Sequence, residues 1–258
     1  MPEQHDPRSP APDPGPGPAP GQAPDPAREL VIVGAGGFGR ETAQAVTATP
    51  GWQVVGFADD GLADGLAADG LAADGLARQG RQVDGLPVLG GVEEIGKSTA
   101  ARLVVCTGSP RDYGSRARIV RRLGLPARRY ATIVHPSAWV APSSWVGPGS
   151  VVLAHSVLTA SVRVGSHVAV MPHVTLTHDD QIEDFVTIAS GVRLGGGVRV
   201  GFGAYLGAGA LVREGVSIGA GALVGMGSVV LRDVPPGEVW AGSPARRLRP
   251  PASQEGSA

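Results

Sequence analysis

The stretch IEDFVTIASGVRLGGGVRVGFGAYLGAGALV, residues 182–212, carries an aliphatic side chain at every sixth position: Ile182, Ile188, Leu194, Val200, Leu206 and Val212. The period runs on in both directions. From Val134 to Val230, seventeen consecutive positions at this spacing are Val, Ile or Leu. Four residues after each comes, in almost every case, a small or β-branched residue, such as Ala138, Ser144, Ser150, Val192 and Ala204. A glycine often precedes it, as at Gly191, Gly197, Gly203 and Gly209. An α-helix repeats about every 3.6 residues and a strand about every two, so neither accounts for six. A solenoid with three flat sides does. Each hexad supplies one side with its aliphatic residue inward and its glycine at the corner, and three hexads close a coil of about 18 residues.

Upstream the pattern is different. LVIVGAGGFGRETAQAV, from Leu30, reads as a buried strand, a glycine turn and the start of a helix. GWQVVGFADD, from Gly51, reads as a second strand ending in two acids. LVVC, from Leu103, reads as a third strand, and YGSRARIVRRLGL, from Tyr113, as a helix. Alternating strand and helix predicts a small parallel sheet. The chain thus divides into a Pro-rich tail over 1–28, an α/β unit over 29–130, a solenoid over 131–249 and a tail over 250–258. Low apolar content predicts disorder in the first tail. Within the α/β unit, residues 61–80 form a low-complexity insertion built on GLAAD, and glycine at every fifth position argues against a stable helix there.

Composition excludes several classes. A net charge of −1 gives no global field toward nucleic acid or anionic membrane. No apolar run reaches the roughly 20 residues of a membrane helix, and the N-terminus lacks the apolar core of a signal peptide, so a cytoplasmic protein is expected. The single cysteine, Cys106, sits in an apolar strand and reads as a buried thiol.

Within the solenoid, TLTHDDQIEDF (residues 175–185) places one histidine beside two aspartates. Residues one coil apart stack, so Ala160, His178 and Gly196 form a column. His178 follows inward-pointing Leu176 by two residues and therefore lies outside the coil. A histidine beside an accessible glycine N–H suits acyl transfer, which needs a base for the attacking amine or hydroxyl and a donor for the oxyanion. The bland alternative is a polar surface residue. Asp180 falls at an inward position, where a carboxylate needs donors or a proton. In the α/β unit, Gly34, Gly36 and Gly39 form G-x-G-x-x-G between a strand and a helix, and Asp59 and Asp60 follow about 20 residues later, as in a dinucleotide site. Three strands make only half of a dinucleotide fold, which opposes NAD. A glycine turn without a ligand is the alternative.

The hexads, the ending DVPPGEVWAGSPARRLR (233–249), VGAGGFGRE (33–41) and FADD (57–60) together resemble the bacterial sugar O/N-acyltransferases of the hexapeptide-repeat superfamily, the sialic-acid O-acetyltransferase and bacillosamine acetyltransferase type. The resemblance covers roughly Leu30 to Arg249. It implies a half-Rossmann α/β unit followed by an all-β left-handed parallel β-helix, an acyl-CoA co-substrate (acetyl-CoA first), no metal, and a homotrimer with its site between subunits. It aligns the catalytic base on His178, its adjacent acid on Asp179, and the donor to the thioester oxygen on Gly196. Acyl-CoA contacts fall near Thr187, Ala208 and Met226. Nucleotide-sugar contacts fall on Gly36, Gly37, Phe38, Asp59, Asp60 and Gly108. The chain departs from the pattern at Thr187, where the family has a histidine, and at Met171–Pro172, where it has Asn-Thr. Phe38 stands where some relatives carry histidine. Two other classes stay open. One is a metalloenzyme like the γ-class carbonic anhydrases, drawing on His155, His173 and His178, although Ser137 stands where a third histidine of that class is expected. The other is a non-catalytic sugar-nucleotide scaffold.

Overall fold

The computed structural model of the chain describes residues 28–63 and 81–249. The predicted tails, up to residue 27 and from residue 250, and residues 64–80 of the insertion lie outside the described residues.

The α/β unit is one five-stranded sheet. Its elements are β1 (Arg28–Val33), α1 (Gly37–Thr47), β2 (Trp52–Ala58), α2 (Asp60–Ala63), β3 (Gln82–Val83), β4 (Leu86–Gly90), α3 (Val92–Ser98), β5 (Arg102–Val105) and α4 (Ser115–Leu123). The strand order is β3-β4-β2-β1-β5. β1 pairs in parallel with β2 and β5, and Leu30 to Val33 are fully buried, as an unbroken aliphatic run requires at the centre of a parallel sheet. The sequence predicts β1, β2 and β5. It does not disclose the β3–β4 hairpin or α3. LPVLG is five residues long and contains Pro87, and VEEIGKS is a helix of seven residues interrupted by Gly96. Arg28 belongs to β1 rather than to the tail, and α2 takes up the first residues of the expected insertion.

The second part is a left-handed parallel β-helix. From β6 (Ile133–Val134) to β22 (Val229–Val230), two-residue strands recur every six residues, and the second residue of each is the inward aliphatic. Pairing joins residues 18 apart, as in Val157↔Thr175 and Leu158↔Leu176. The inward residues form one continuous core from Val152 to Val230. Corners need a left-handed backbone at a fixed phase. The later coils supply glycine there, from Gly191 to Gly227. The earlier coils, after Gly149, do not: His155, Ser161, His167, His173, Asp179 and Phe185 all have φ between 56 and 65°. Each of these non-glycine corners carries strain on the order of 1 kcal/mol, sustained by the ladder on both sides.

The three faces differ. One, mostly apolar, carries Trp139, Leu211 and Val229 outward, with Trp139 60% and Leu211 41% exposed, and a single exposed Arg193. The second, the more basic, carries Trp145, Arg163, Gln181 and Arg199 outward, all exposed. The third carries Ile133, Val151, Ala169 and Thr187, all buried beneath the α/β unit. Ala131, Ile133, Val151 and Leu153 share one apolar cluster with Leu30, Ile32, Phe57 and Val104, so the two parts have a common core at this seam.

Arg116 of α4 locks the seam. It is 1% exposed and has no carboxylate partner among the described residues. Its guanidinium donates to the carbonyls of Thr107 (2.7 Å), His167 (2.7 Å), Phe185 (3.0 Å) and Val186 (3.1 Å), and to the Thr187 hydroxyl (2.8 Å). Burial pushes its pKa down to about 10, which leaves it charged at neutral pH. Beside it the His167 ring stacks on Phe185 (5.0 Å, 8°) and meets Tyr130 edge-on (4.6 Å).

Two outcomes are expected here. Arg116→Met strands several buried carbonyls and should destabilise the protein by about 3 kcal/mol or more in urea unfolding. His167 gives an acid limit. Burial first, and the Arg116 charge second, lower its pKa to about 4 from 6.5. The unfolded chain therefore takes up a proton that the fold refuses, and stability is lost as pH falls from 6.5 toward 4. His167→Asn, which tolerates the left-handed backbone, should reduce stability at neutral pH yet flatten that slope in thermal melts across the window.

Candidate active site

The turn after Thr175–Leu176 (β13) carries His178, Asp179 and Asp180. Asp179 takes the left-handed corner conformation, φ 65°. That turns its carboxylate back on its neighbour, and Asp179 Oδ2 lies 2.8 Å from His178 Nδ1. Both side chains are exposed. The other ring nitrogen, Nε2, faces Gly196 in the next coil so closely that a Cβ on residue 196 would overlap it. The two turns are tied together by Gly197 N–H donating to His178 O at 2.8 Å. Gly195 N–H and Gly197 N–H both bond to carbonyls, whereas Gly196 N–H has no partner among the described residues. An imidazole held by a carboxylate on one nitrogen thus presents the other beside a free backbone donor.

Asp180 is 0% exposed. It accepts Thr177 N–H and Val198 N–H, each at 2.8 Å. Burial pushes its pKa up to about 7, against the opposing pull of these two N–H groups. These are the donors that an inward carboxylate was expected to require.

The glycine loop forms a second half-site. Asp59 Oδ2 accepts Ala35 N–H at 2.9 Å and Oδ1 accepts Leu62 N–H at 3.2 Å, so the acid braces the loop. Gly36 and Gly37 are exposed and open, with room for a ligand against the backbone at the start of α1. Gly39 is the close-packed member, where any Cβ would overlap Gly34 O. Phe38 is half-buried against the seam cluster. Gly108, at φ 134°, lies against Arg116 and Thr187. Asp60 is engaged elsewhere: Val92 N–H donates to Oδ1 at 2.8 Å and Arg122 to Oδ2 at 2.6 Å, which ties it to α3 and α4.

The sequence-derived sites therefore separate. His178, Asp179 and Gly196 come together at the corner between the apolar and basic faces. Ala208 and Met226 (79% exposed) occupy the next corner, between the seam face and the apolar face. Thr187 lies on the seam face, 7% exposed with its hydroxyl accepting from Arg116, so within this chain it closes the seam and does not line an open groove. His155 and His173 stack at 5.1 Å on the corner of Ala208, away from His178. No group of three His, Cys, Asp or Glu side chains suited to a metal occurs among the described residues. Cys106 is buried and its thiol is pushed up to about 12, which makes it inert. Arg116 was missed because its sequence context, an Arg-rich amphipathic helix, matches a solvated face; only the docked solenoid reveals its partners.

Comparisons with known proteins bear on the fold and the family. The PglD N-terminal domain family matches residues 29–110. Curated proteins contain no match. Among solved structures, the acetyltransferase domain of PglB from Neisseria gonorrhoeae, in complex with acetyl coenzyme A, is similar at 30% identity and a TM-score of 0.73, covering 86% of this chain and 100% of that one. PerB from Caulobacter crescentus, in complex with CoA and GDP-perosamine, is similar at 29% identity and a TM-score of 0.72, covering 86% and 97%. WeeI from Acinetobacter baumannii is similar at 25% identity and a TM-score of 0.67, covering 85% and 99%. No helix among the described residues is long and apolar enough to cross a membrane.

Gly196→Ala tests the contact at the heart of the site. The added methyl must displace the His178 ring, by on the order of 1 Å, while the solenoid accepts it, because Ala160 already occupies the same column two coils earlier. A crystal structure of the variant should show a shifted imidazole on an unchanged backbone, with a melting temperature within a few degrees of wild type.

Proposed function

Because the chain belongs to the bacterial sugar acetyltransferases of the hexapeptide-repeat superfamily, we propose that it transfers an acetyl group from acetyl-CoA to an amino or hydroxyl group of a nucleotide-linked sugar. The observation that carries this is the pairing of His178 Nε2 with the unpartnered Gly196 N–H, with Asp179 on the far side of the ring. His178 Nε2 accepts the proton of the attacking amine or hydroxyl. The freed nitrogen or oxygen adds to the thioester carbonyl carbon, and Gly196 N–H receives the oxyanion that forms. Collapse expels the CoA thiolate, which recovers the proton from the imidazolium. Asp179 orients the ring and stabilises its charged form.

The acceptor reading is supported by the open backbone at Gly36 and Gly37, by Asp59 bracing the loop, and by the PglD-type N-terminal unit. PerB, similar over most of both chains, has been solved with GDP-perosamine and CoA. The same reading includes a homotrimer, which the faces of the solenoid support. The seam face is already covered and the second face carries two exposed arginines, so the face of Trp139 and Leu211, which carries one exposed arginine, Arg193, is the one this reading gives to other copies. Burying it sets the His178 corner of one copy near the Ala208 and Met226 corner, and near the α/β unit, of another, and so joins half-sites that are apart in one chain. Thr187 then contributes through the seam, by holding Arg116 beside Gly108.

A screen of nucleotide sugars with acetyl-CoA, reading free thiol, should find turnover. In His178→Ala it should fall roughly 10²–10⁴-fold, with trimer and acetyl-CoA binding retained. Asp179→Asn should cost less. Alkaline pH should partly restore His178→Ala for an amine acceptor and not for an alcohol, which separates N- from O-acetylation. Asp59→Ala should raise the KM for the sugar nucleotide and leave that for acetyl-CoA unchanged. Light scattering that finds an active monomer would refute the shared site.

A further inference from the structure

From Ala138 to Ser228, every inward corner position is Ala, Ser or Val except one, Asp180. Its two hydrogen bonds alter the coil. Elsewhere the residue after the inward aliphatic donates its N–H to the next coil, as Thr159 N–H does to Leu176 O (3.0 Å) and Gly195 N–H to Val212 O (2.8 Å). Thr177 is in the same phase, yet its N–H goes to Asp180 Oδ2. The carbonyl it would have used, Leu194 O, is taken by the Thr177 hydroxyl at 3.0 Å. The pairing of β13 with Arg193–Leu194 (β16) shrinks accordingly to the single pair Thr175↔Arg193. The flanking rungs keep both pairs, Val157↔Thr175 with Leu158↔Leu176 and Arg193↔Leu211 with Leu194↔Val212. The ladder is opened at one rung, and that rung carries His178 against Gly196.

We infer that Asp180 is a positioning residue: by drawing Thr177 N–H out of the ladder and holding Val198 N–H, it sets the spacing between the His178 turn and the Gly196 turn. The inference rests on the acyl-transfer reading of that site. Thr177 precedes His178 directly, and Val198 follows Gly196 by two residues, so one buried carboxylate grips both turns. A regular rung would draw residue 177 back onto Leu194, at the point where Gly196 already leaves no room for a Cβ beside Nε2.

The grip needs the ionised form, whose two oxygens both accept. The charged groups near it are His178 and Asp179 of its own turn. The neighbouring coils present Val162 and Val198 inward and carry Arg163 and Arg199 on the outer surface. Burial opposes ionisation, and the carboxyl pKa is raised to about 7 from 3.8. The fold therefore holds a proton that the unfolded chain has released, and stability falls as pH rises through that window. Asp180 is a site where stability is given up.

That sign supplies the test. Asp180→Val installs the residue found one coil away on either side, at Val162 and Val198. It should raise the melting temperature, more at about pH 8 than at about pH 5. Its crystal structure should show Thr177 N–H returned to Leu194 O. Its kcat should fall about tenfold or more through the misplaced base, with the KM for acetyl-CoA changed by no more than roughly twofold. Asp180→Ser retains an acceptor for Val198 N–H, as Ser144 and Ser150 do for Val162 and Val168 at 2.9 Å, and should keep part of the lost kcat. A purely structural role makes activity follow stability. Wild-type kcat in Asp180→Val, a loss of kcat that merely tracks loss of folded protein, or Thr177 N–H still off the ladder in the variant would each overturn the inference. Absence of acyl transfer in the wild type would instead count against the proposed function, and the rung in the variant structure would then decide the case of Asp180.

Discussion

The hydrogen-bond ladder between residues 18 apart is the constraint on which the rest of the molecule depends. Each rung joins backbone to backbone, so the coil is held at a fixed height and phase regardless of side chains. Aliphatic residues then need only point inward every sixth position to complete the core. Corners are set by the same ladder, which holds His155, Asp179 and Phe185 in a left-handed conformation that such residues adopt reluctantly. Outward side chains inherit a lattice. His178 faces Gly196 because the two are one coil apart, and for no local reason.

The seam turns this regular rod into a two-part protein. A face of Ile133, Val151 and Ala169 would be exposed and apolar alone. The α/β unit covers it, and Arg116 completes the cover by donating to the corner carbonyls of His167 and Phe185, which no coil neighbour among the described residues reaches. A guanidinium suits this task because it presents several donors in a fixed fork and stays charged even when buried. The contact also fixes the glycine loop relative to the solenoid, since Arg116 donates to Thr107 O beside Gly108.

Chemistry is concentrated where the ladder is least regular. One turn holds three acids and bases in succession, and each meets a different environment. His178 and Asp179 are exposed and bonded to each other, while Asp180 is buried and bonded to the backbone. A general base must be reachable, and the frame that holds it must not move. The turn meets both demands by sending two successive side chains outward and the third inward. The inward carboxylate is destabilising by burial, and its sign of pH dependence is opposite to that of His167 at the seam.

Much of this was legible in the residue order. The aliphatic period from Val134 to Val230 dictated the solenoid, because only one architecture buries a residue every six positions. The same period placed His178 above Ala160 and below Gly196 and put Asp180 inside, since stacking follows from arithmetic along the chain. The glycine loop and the acid after β2 were equally local signals. Other features had no such signal. The β3–β4 hairpin was too short and too proline-marked to show a period. Arg116 looked like a solvated residue until a face distant in sequence came to cover it. Thr187 and Met226 shared a proposed ligand in the sequence, but Thr187 stands on the seam face and Met226 at a corner two coils further on. The open rung at Thr177 was likewise invisible. Period and phase are properties of neighbouring residues and survive in one dimension, whereas which side of a coil is covered, and which N–H a buried carboxylate captures, depends on groups brought together only by folding.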